Sequence, residues 1–168
     1  MLEFPTDDSV PQRVLLQSRT DIVPAVLEVL RRAKHEVRCL HQDLSVFELS
    51  QTTLVEALHT FLHASRHVRA RLLVEETGWL DSHAARLRLV QRQLSHALEM
   101  RRASTDDPVG EDAAFIADDS HVLVLTRSAL GLGEIWFNSE PRAHSLVASF
   151  DRRWEAASHN LPVEPLGL

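Results

Sequence analysis

Tyrosine is absent from this 168-residue chain, and it carries one cysteine, one lysine and five glycines. A single thiol, Cys39, can close no intramolecular disulfide and cannot build a thiolate zinc cluster. Aromatic residues make up 5% of the chain, leaving few platforms on which single-stranded bases could stack. The formal charge of −6 and a pI near 5.9 disfavour the wrapping of a polyanion. Arg86, Arg88, Arg92, Arg101 and Arg102 are numerous, yet Glu99, Asp106 and Asp107 lie close to them in sequence. Nucleic acid is therefore not the expected partner. No stretch approaches the ~18 consecutive apolar residues of a spanning helix, so no membrane association is expected. The opening MLEFPTDDSVPQR has no basic region leading into an apolar run. A cytoplasmic location is the expectation that follows.

What is present is an ordinary globular composition, 44% hydrophobic and 25% charged, at the size of one domain. Residues 1–13, with Pro5 and Pro11 flanking polar positions, read as a loose arm. Thr20-Asp21 offers an N-cap to a helix over 21–34, with Val23, Val26, Leu27 and Leu30 at helical spacing. Glu36 to Leu40 alternates and suits a strand. Thr52 or Thr53 opens a second helix along Leu54, Leu58, Phe61 and Leu62, and Val68 to Val74 forms a second strand. The spacing of Leu87, Val90, Leu94 and Leu98 predicts one long helix over 83–99. A short strand is expected at 100–104, a loop over 105–112, and a hairpin from Ala113–Ala117 to His121–Thr126 across a turn at Asp118-Asp119. A last strand at 134–138 and a helix capped by Ser139 close the order. The expected class is α/β: a mixed sheet with helices packed on it, occupying 14–160, then a tail over 161–168.

This order resembles a single repeat of the phospholipase-D-like fold. The hairpin Ala113-Ala114-Phe115-Ile116-Ala117-Asp118-Asp119-Ser120-His121-Val122-Leu123-Val124 carries the resemblance. More narrowly, the chain is similar to an uncharacterised bacterial domain family of that fold, whose members occur alone or joined to an N-acetyltransferase domain. Asp43, His83, Arg86 and Phe150-Asp151-x-x-Trp154 are the residues matched to it. Catalytic relatives open the hairpin with His-x-Lys-x4-Asp, supplying a nucleophile, a phosphate ligand and a supporting acid. With Asp119 as the motif acid, Asp112 and Ala114 fall on the histidine and lysine positions. With Asp118 they are Glu111 and Ala113. Neither register supplies an imidazole or an ammonium, so the resemblance implies an architecture without its phosphodiesterase motif.

Candidate sites follow from topology, because ligands of open α/β sheets bind beyond the carboxyl ends of the strands. That edge is expected to collect Asp43, Glu75-Glu76 and His83, with Arg86 one turn further. Phased on Leu87, His83 falls on the buried side of the expected long helix, facing an acidic cleft. Asp43, Glu76, His83 and Arg86 are the candidate ligand-binding residues, and no catalytic residue is assigned. His59, His63 and His67 recur every fourth residue, a spacing that can hold zinc, but their phase places them toward solvent. They read as surface histidines, and no metal or cofactor is expected. Asp106, Asp107, Glu111, Asp112, Asp118 and Asp119 lack the spacing of a calcium loop and read as a solvated acidic segment. Gly131-x-Gly133 reads as a turn, and Cys39 as an inert core residue.

The expected function is a non-catalytic module that binds a small molecule or a protein partner. It is expected as a homodimer, because active relatives pair two repeats face to face. Two alternatives remain at this point. One is an enzyme with divergent acid–base or metal-assisted chemistry centred on His83. The other is an accessory to an N-acetyltransferase.

Overall fold

A computed structural model describes residues 2–128, 131–157 and 160–162. Its strands are β1 (Gln12–Leu16), β2 (Glu36–Leu40), β3 (Arg69–Val74), β4 (Leu98–Arg102), β5 (Ala114–Ala117), β6 (His121–Ser128) and β7 (Gly131–Phe137). The helices are α1 (Ile22–Arg32), α2 (Thr52–His63), α3 (Gly78–His83), α4 (Ala85–Gln93) and α5 (Glu140–Ala156). The described strands form one mixed sheet in the order β1-β7-β6-β5-β2-β3-β4. β2, β3 and β4 run parallel, and every other neighbouring pair is antiparallel. The expected α/β class with a mixed sheet is thus the observed one.

Helices cover both faces. Ile22, Ala25, Val26, Val29 and Leu30 recur at three- and four-residue steps, which puts one stripe of α1 onto the sheet. Its entry is fixed by Asp21, whose Oδ2 accepts the amides of Gln17 and Ser18 at 3.0 and 3.1 Å. In α2, Leu54, Val55, Leu58, Phe61 and Leu62 form the equivalent stripe. With Leu87 and Val90 of α4 they build the larger core, against Cys39, Leu72, Phe115, Leu123 and Ile135 from the sheet. α5 lies alone on the other face, where Ala143, Phe150 and Trp154 meet Leu40, Leu73, Ile116 and Val122.

Three expectations are corrected. The helix foreseen over 83–99 is broken at Ala84 (φ −117°, ψ 40°) and again at Leu94 (φ −122°, ψ 42°), and the chain from Leu98 is strand. Leu98 and Met100 also satisfy a two-residue period, and five ladder positions with β3, from Ala70↔Leu98 to Val74↔Arg102, decide for the strand. The first strand begins at Gln12, inside the stretch read as an arm, because Gln12 and Arg13 pair with Phe137 and Trp136. Gly131 and Gly133 belong to β7 rather than to a turn. A Cβ at Gly133 would collide with the Val124 carbonyl beside an irregularity in the β6–β7 ladder, so glycine allows this close approach.

Candidate functional site

The loop after β2 is organised around Asp43. Its Oδ1 accepts the Ser45 amide at 2.9 Å and the Ser45 hydroxyl at 2.6 Å, and lies 3.2 Å from His41 Nδ1. Burial pushes the Asp43 carboxyl up, but the two Ser45 hydrogen bonds act the other way, and it is held below the usual carboxylate range. His41 Nδ1 also accepts the Leu44 amide at 3.1 Å, and its ring stands edge-on to buried Phe47. Leu44 is fully buried in the left-handed region at φ 68°, a cost its burial and that hydrogen bond offset.

The other candidate residues sit on the same side of the sheet but in separate local contacts. Glu76 is exposed and accepts Gln42 Nε2 at 3.2 Å. Arg86 is exposed and donates to the Thr52 hydroxyl. His83 ends α3 and is exposed, because the break at Ala84 resets the helical phase that placed it inward. The Ser82 hydroxyl donates to the Gly78 carbonyl at 2.6 Å and sits 2.7 Å from His83 Nδ1. With its proton so committed, Ser82 accepts from the imidazole, the reverse of an activated nucleophile.

A cleft lies one strand further out, beyond the carboxyl end of β4. It measures about 570 Å³ and is lined by Thr77, Asp81, Arg88, Arg102, Ala103, Ser104 and Thr105, with 160–162 as its outer wall. Arg102, the last residue of β4, donates to Thr77 Oγ1 at 3.3 Å. Arg88 reaches across from α4, donating to Gln91 Oε1 at 2.7 Å and to the Pro162 carbonyl at 3.1 Å, 3.8 Å from Asp81. The wall is pinned to the sheet edge by the Leu161 amide on the Met100 carbonyl at 2.7 Å and by Arg101 Nε on Asn160 Oδ1 at 2.9 Å. Residues that carry two guanidinium groups, three hydroxyls and one carboxylate therefore line one concavity. Of these, Arg88 and Arg102 were visible in the sequence only as members of a basic stretch, because the turn that gathers them follows from α4 ending at Gln93 and β4 starting at Leu98, where a helix to 99 and a strand at 100–104 were expected.

The acidic segment is anchored, not simply solvated. Asp107 meets Arg152 Nε at 2.9 Å, Asp112 meets Arg153 Nη2 at 2.9 Å, and Asp119 lies 3.3 Å from Arg38 Nη1. The Arg152 hydrogen bond outweighs burial in holding the Asp107 carboxyl below its usual range. Asp118, at φ 53°, accepts the amides of Lys34, His35 and Glu36 at 2.8–2.9 Å and so ties the hairpin turn to the start of β2. Each of these acids serves the fold. Among the described residues no group of three or more metal-ligating side chains converges.

Fold and edge together define the class: this is a phospholipase-D-like fold. The solved structure of Nuc from Salmonella typhimurium, a phospholipase D family member, matches with a TM-score of 0.66 at 15% identity, over 90% of this chain and 99% of Nuc. NucT from Helicobacter pylori matches with a TM-score of 0.54 at 10% identity, over 88% of this chain and 97% of NucT. The archaeal chromatin protein TrmBL2, whose structure shows a novel mode of DNA binding, matches with a TM-score of 0.62 at 16% identity. That match takes in 92% of this chain but 55% of TrmBL2, so the chain spans about half the length of that protein. Within the fold, the chain belongs to the family DUF7931, a domain of unknown function, whose model matches residues 18–164. No curated protein sequence matches it. Among the described residues no helix is long and apolar enough to cross a membrane.

Proposed function

We propose that this domain is a non-catalytic member of the phospholipase-D-like fold that binds a small anionic molecule in the cleft beyond β4. The observation that carries the reading is the pair of guanidinium groups, Arg88 and Arg102, lining one cleft of about 570 Å³ with the hydroxyls of Thr77, Ser104 and Thr105. That volume lies within the range of small-molecule sites. Guanidinium groups offer paired donors that match a phosphate or carboxylate, and hydroxyls supply further donors around it. Asp81, on the same wall, suits a hydroxyl of the ligand. The absence of chemistry rests on sequence. Lys34 is the one lysine and Arg32 stands two residues before it, so no His-x-Lys pair occurs anywhere in the chain.

The test is a thermal-shift panel of phosphomonoesters and dicarboxylates on the wild type and Arg102→Gln. A ligand at a hundred times its dissociation constant stabilises by about 2.7 kcal/mol, a readily measured rise in melting temperature. The expected result is a rise with one anion class that Arg102→Gln abolishes. A shift that survives in Arg102→Gln sends the ligand elsewhere, and no shift with any anion overturns the reading. Hydrolysis of a chromogenic phosphodiester above the buffer rate would overturn its non-catalytic part.

A further inference from the structure

On the outer side of α2, His59 and His63 lie one helical turn apart, and their Nε2 atoms come within 3.1 Å of each other. The ring centroids are 4.3 Å apart and the planes meet at 56°. His59 is half-buried and His63 is exposed. In the absence of a cation the pair is held by one imidazole N–H donating to the other ring nitrogen, so one Nε2 lone pair already points at its neighbour.

From this we propose that His59 and His63 form a bidentate chelate for a borderline divalent transition cation such as zinc or copper(II). The separation fits. With metal–nitrogen bonds of about 2.0–2.1 Å, two nitrogens 3.1 Å apart subtend roughly 98° at the ion. That angle lies between the right angle of square-planar or octahedral sites and the tetrahedral value. Imidazole nitrogen suits zinc, copper and nickel, whereas calcium and magnesium require oxygen ligands. The rigid helix sets the spacing, so little ordering is lost on binding. Binding replaces the shared N–H with two metal–nitrogen bonds, and that proton moves to Nδ1 of its own ring, so two neutral imidazoles bind the cation with no net proton release. No third histidine, cysteine or carboxylate among the described residues joins the pair, so water or another molecule completes the coordination. His67 lies beyond the end of α2, and Arg66 Nε donates to its Nε2 at 3.4 Å, so it stands apart from the chelate. The chelate is independent of the anion cleft, which is built on β4, α3 and α4.

Titration calorimetry of the full chain with zinc at about pH 8 tests this directly. The wild type is expected to bind one equivalent. His59→Asn and His63→Asn should each weaken it by about tenfold or more, since either removes one of two metal–nitrogen bonds. His67→Asn should leave it unchanged. Zinc should also raise the melting temperature of the wild type, because the two rings converge only when α2 is helical, and the rise should vanish in both chelate variants. Metal-free melting curves of the variants check that these substitutions, one half-buried and one exposed, leave the fold intact. Equal zinc affinity in wild type and both variants, or no zinc binding at all, would overturn the chelate.

Discussion

The two faces of the sheet are held by different physics. The face under α1, α2 and α4 is close to pure hydrocarbon: Phe47, Leu54, Leu58, Leu72 and Phe115 are all 2% exposed or less. The face under α5 buries charge. Glu36 of β2 receives Arg38 Nη2 at 2.9 Å, Arg69 Nε at 3.0 Å and Arg71 Nε at 2.6 Å, while Arg71 Nη2 also reaches Asp151 of α5 at 2.9 Å. Above them Phe150 and Trp154 stack with centroids 5.7 Å apart, and the Arg71 and Arg101 guanidinium groups lie over the Trp154 ring at 5.4 and 4.4 Å. One face tolerates loose geometry as long as volume is filled; the other requires each charge to have its partner. A single helix can cover half a sheet only if something fixes it in place, and the Arg71–Asp151 bond, with Arg153 on Asp112, fixes α5 at a definite register.

The strongest way to break this comparison is to damage each face equally. Phe47→Ala removes a fully buried ring that packs on Phe115 at 5.8 Å, and should cost about 3–5 kcal/mol in urea denaturation. Glu36→Ala leaves two buried guanidinium groups short of a carboxylate, and should cost about 3–5 kcal/mol by the same assay. The equality hides a difference that a second variant exposes. Replacing Glu36, Arg38 and Arg71 together by Leu, Met and Met should be neutral, or stabilising by about 1–4 kcal/mol, because desolvation of three charges is removed along with their attraction. No such rescue exists for the apolar face. If the triple variant is as unstable as Glu36→Ala, the network is a net source of stability and not chiefly a register device.

A smaller effect sharpens the contrast through pH. His121 is a buried titratable group on the apolar side, packed on Phe137 at 5.9 Å with Nδ1 accepting the Asn138 amide at 3.2 Å. Burial, then the nearby Arg32 guanidinium, hold its imidazole below the usual range, while Asp118 and Asp8 act the other way. The unfolded chain therefore takes up this proton before the folded one does. Stability should be flat above the ordinary imidazole pKa of about 6.5 and decline as pH falls below it. His121→Gln should remove that slope from denaturation midpoints measured across the window; an unchanged slope would assign it to another group. Asp43 acts at lower pH: its depressed carboxyl adds stability above the ordinary carboxylate range, lost as pH falls through its folded value. The smallest expected signal is at Cys39, fully buried in β2, where burial pushes the thiol well up. It should resist a thiol reagent in native buffer and react at once in denaturant. Fast labelling of the native protein would show that the apolar face opens.

Much of the fold was legible because local pattern and tertiary demand agreed. The apolar stripes of α1 and α2 repeat at helical spacing, and the hairpin across Asp118-Asp119 carries its own turn residues. Between His83 and Arg102 a helix and a following strand were legible but their boundary was not, since Leu94 and Leu98 satisfy a helical period while Leu98 and Met100 satisfy a strand period. Parallel pairing with β3 decided between them, and no local window contains β3. The cleft inherits that difficulty. Arg88 and Arg102 are fourteen positions apart and meet only because the chain turns back between α4 and β4. The charged face did leave a trace, in Glu36-x-Arg38 and Arg69-x-Arg71, which put opposite charges at alternate positions of two neighbouring strands. Read at strand period, those residues belong to one face, and the parallel register Glu36↔Arg69 and Arg38↔Arg71 brings the two runs together.

By itself the sequence determined the class of this protein, because composition, periodicity and turn chemistry act over a few residues and need no partner. It also determined that no His-x-Lys pair exists, a matter of residue identity alone. Tertiary structure decided which acids are solvated and which are tied to α5, where helix α4 stops, and which basic side chains share a cavity. Those outcomes depend on hydrogen bonds and ion pairs between residues far apart in the chain; Arg13 and Glu134, for example, are 121 positions apart, and their closeness follows from the sheet order and not from any neighbour in the chain.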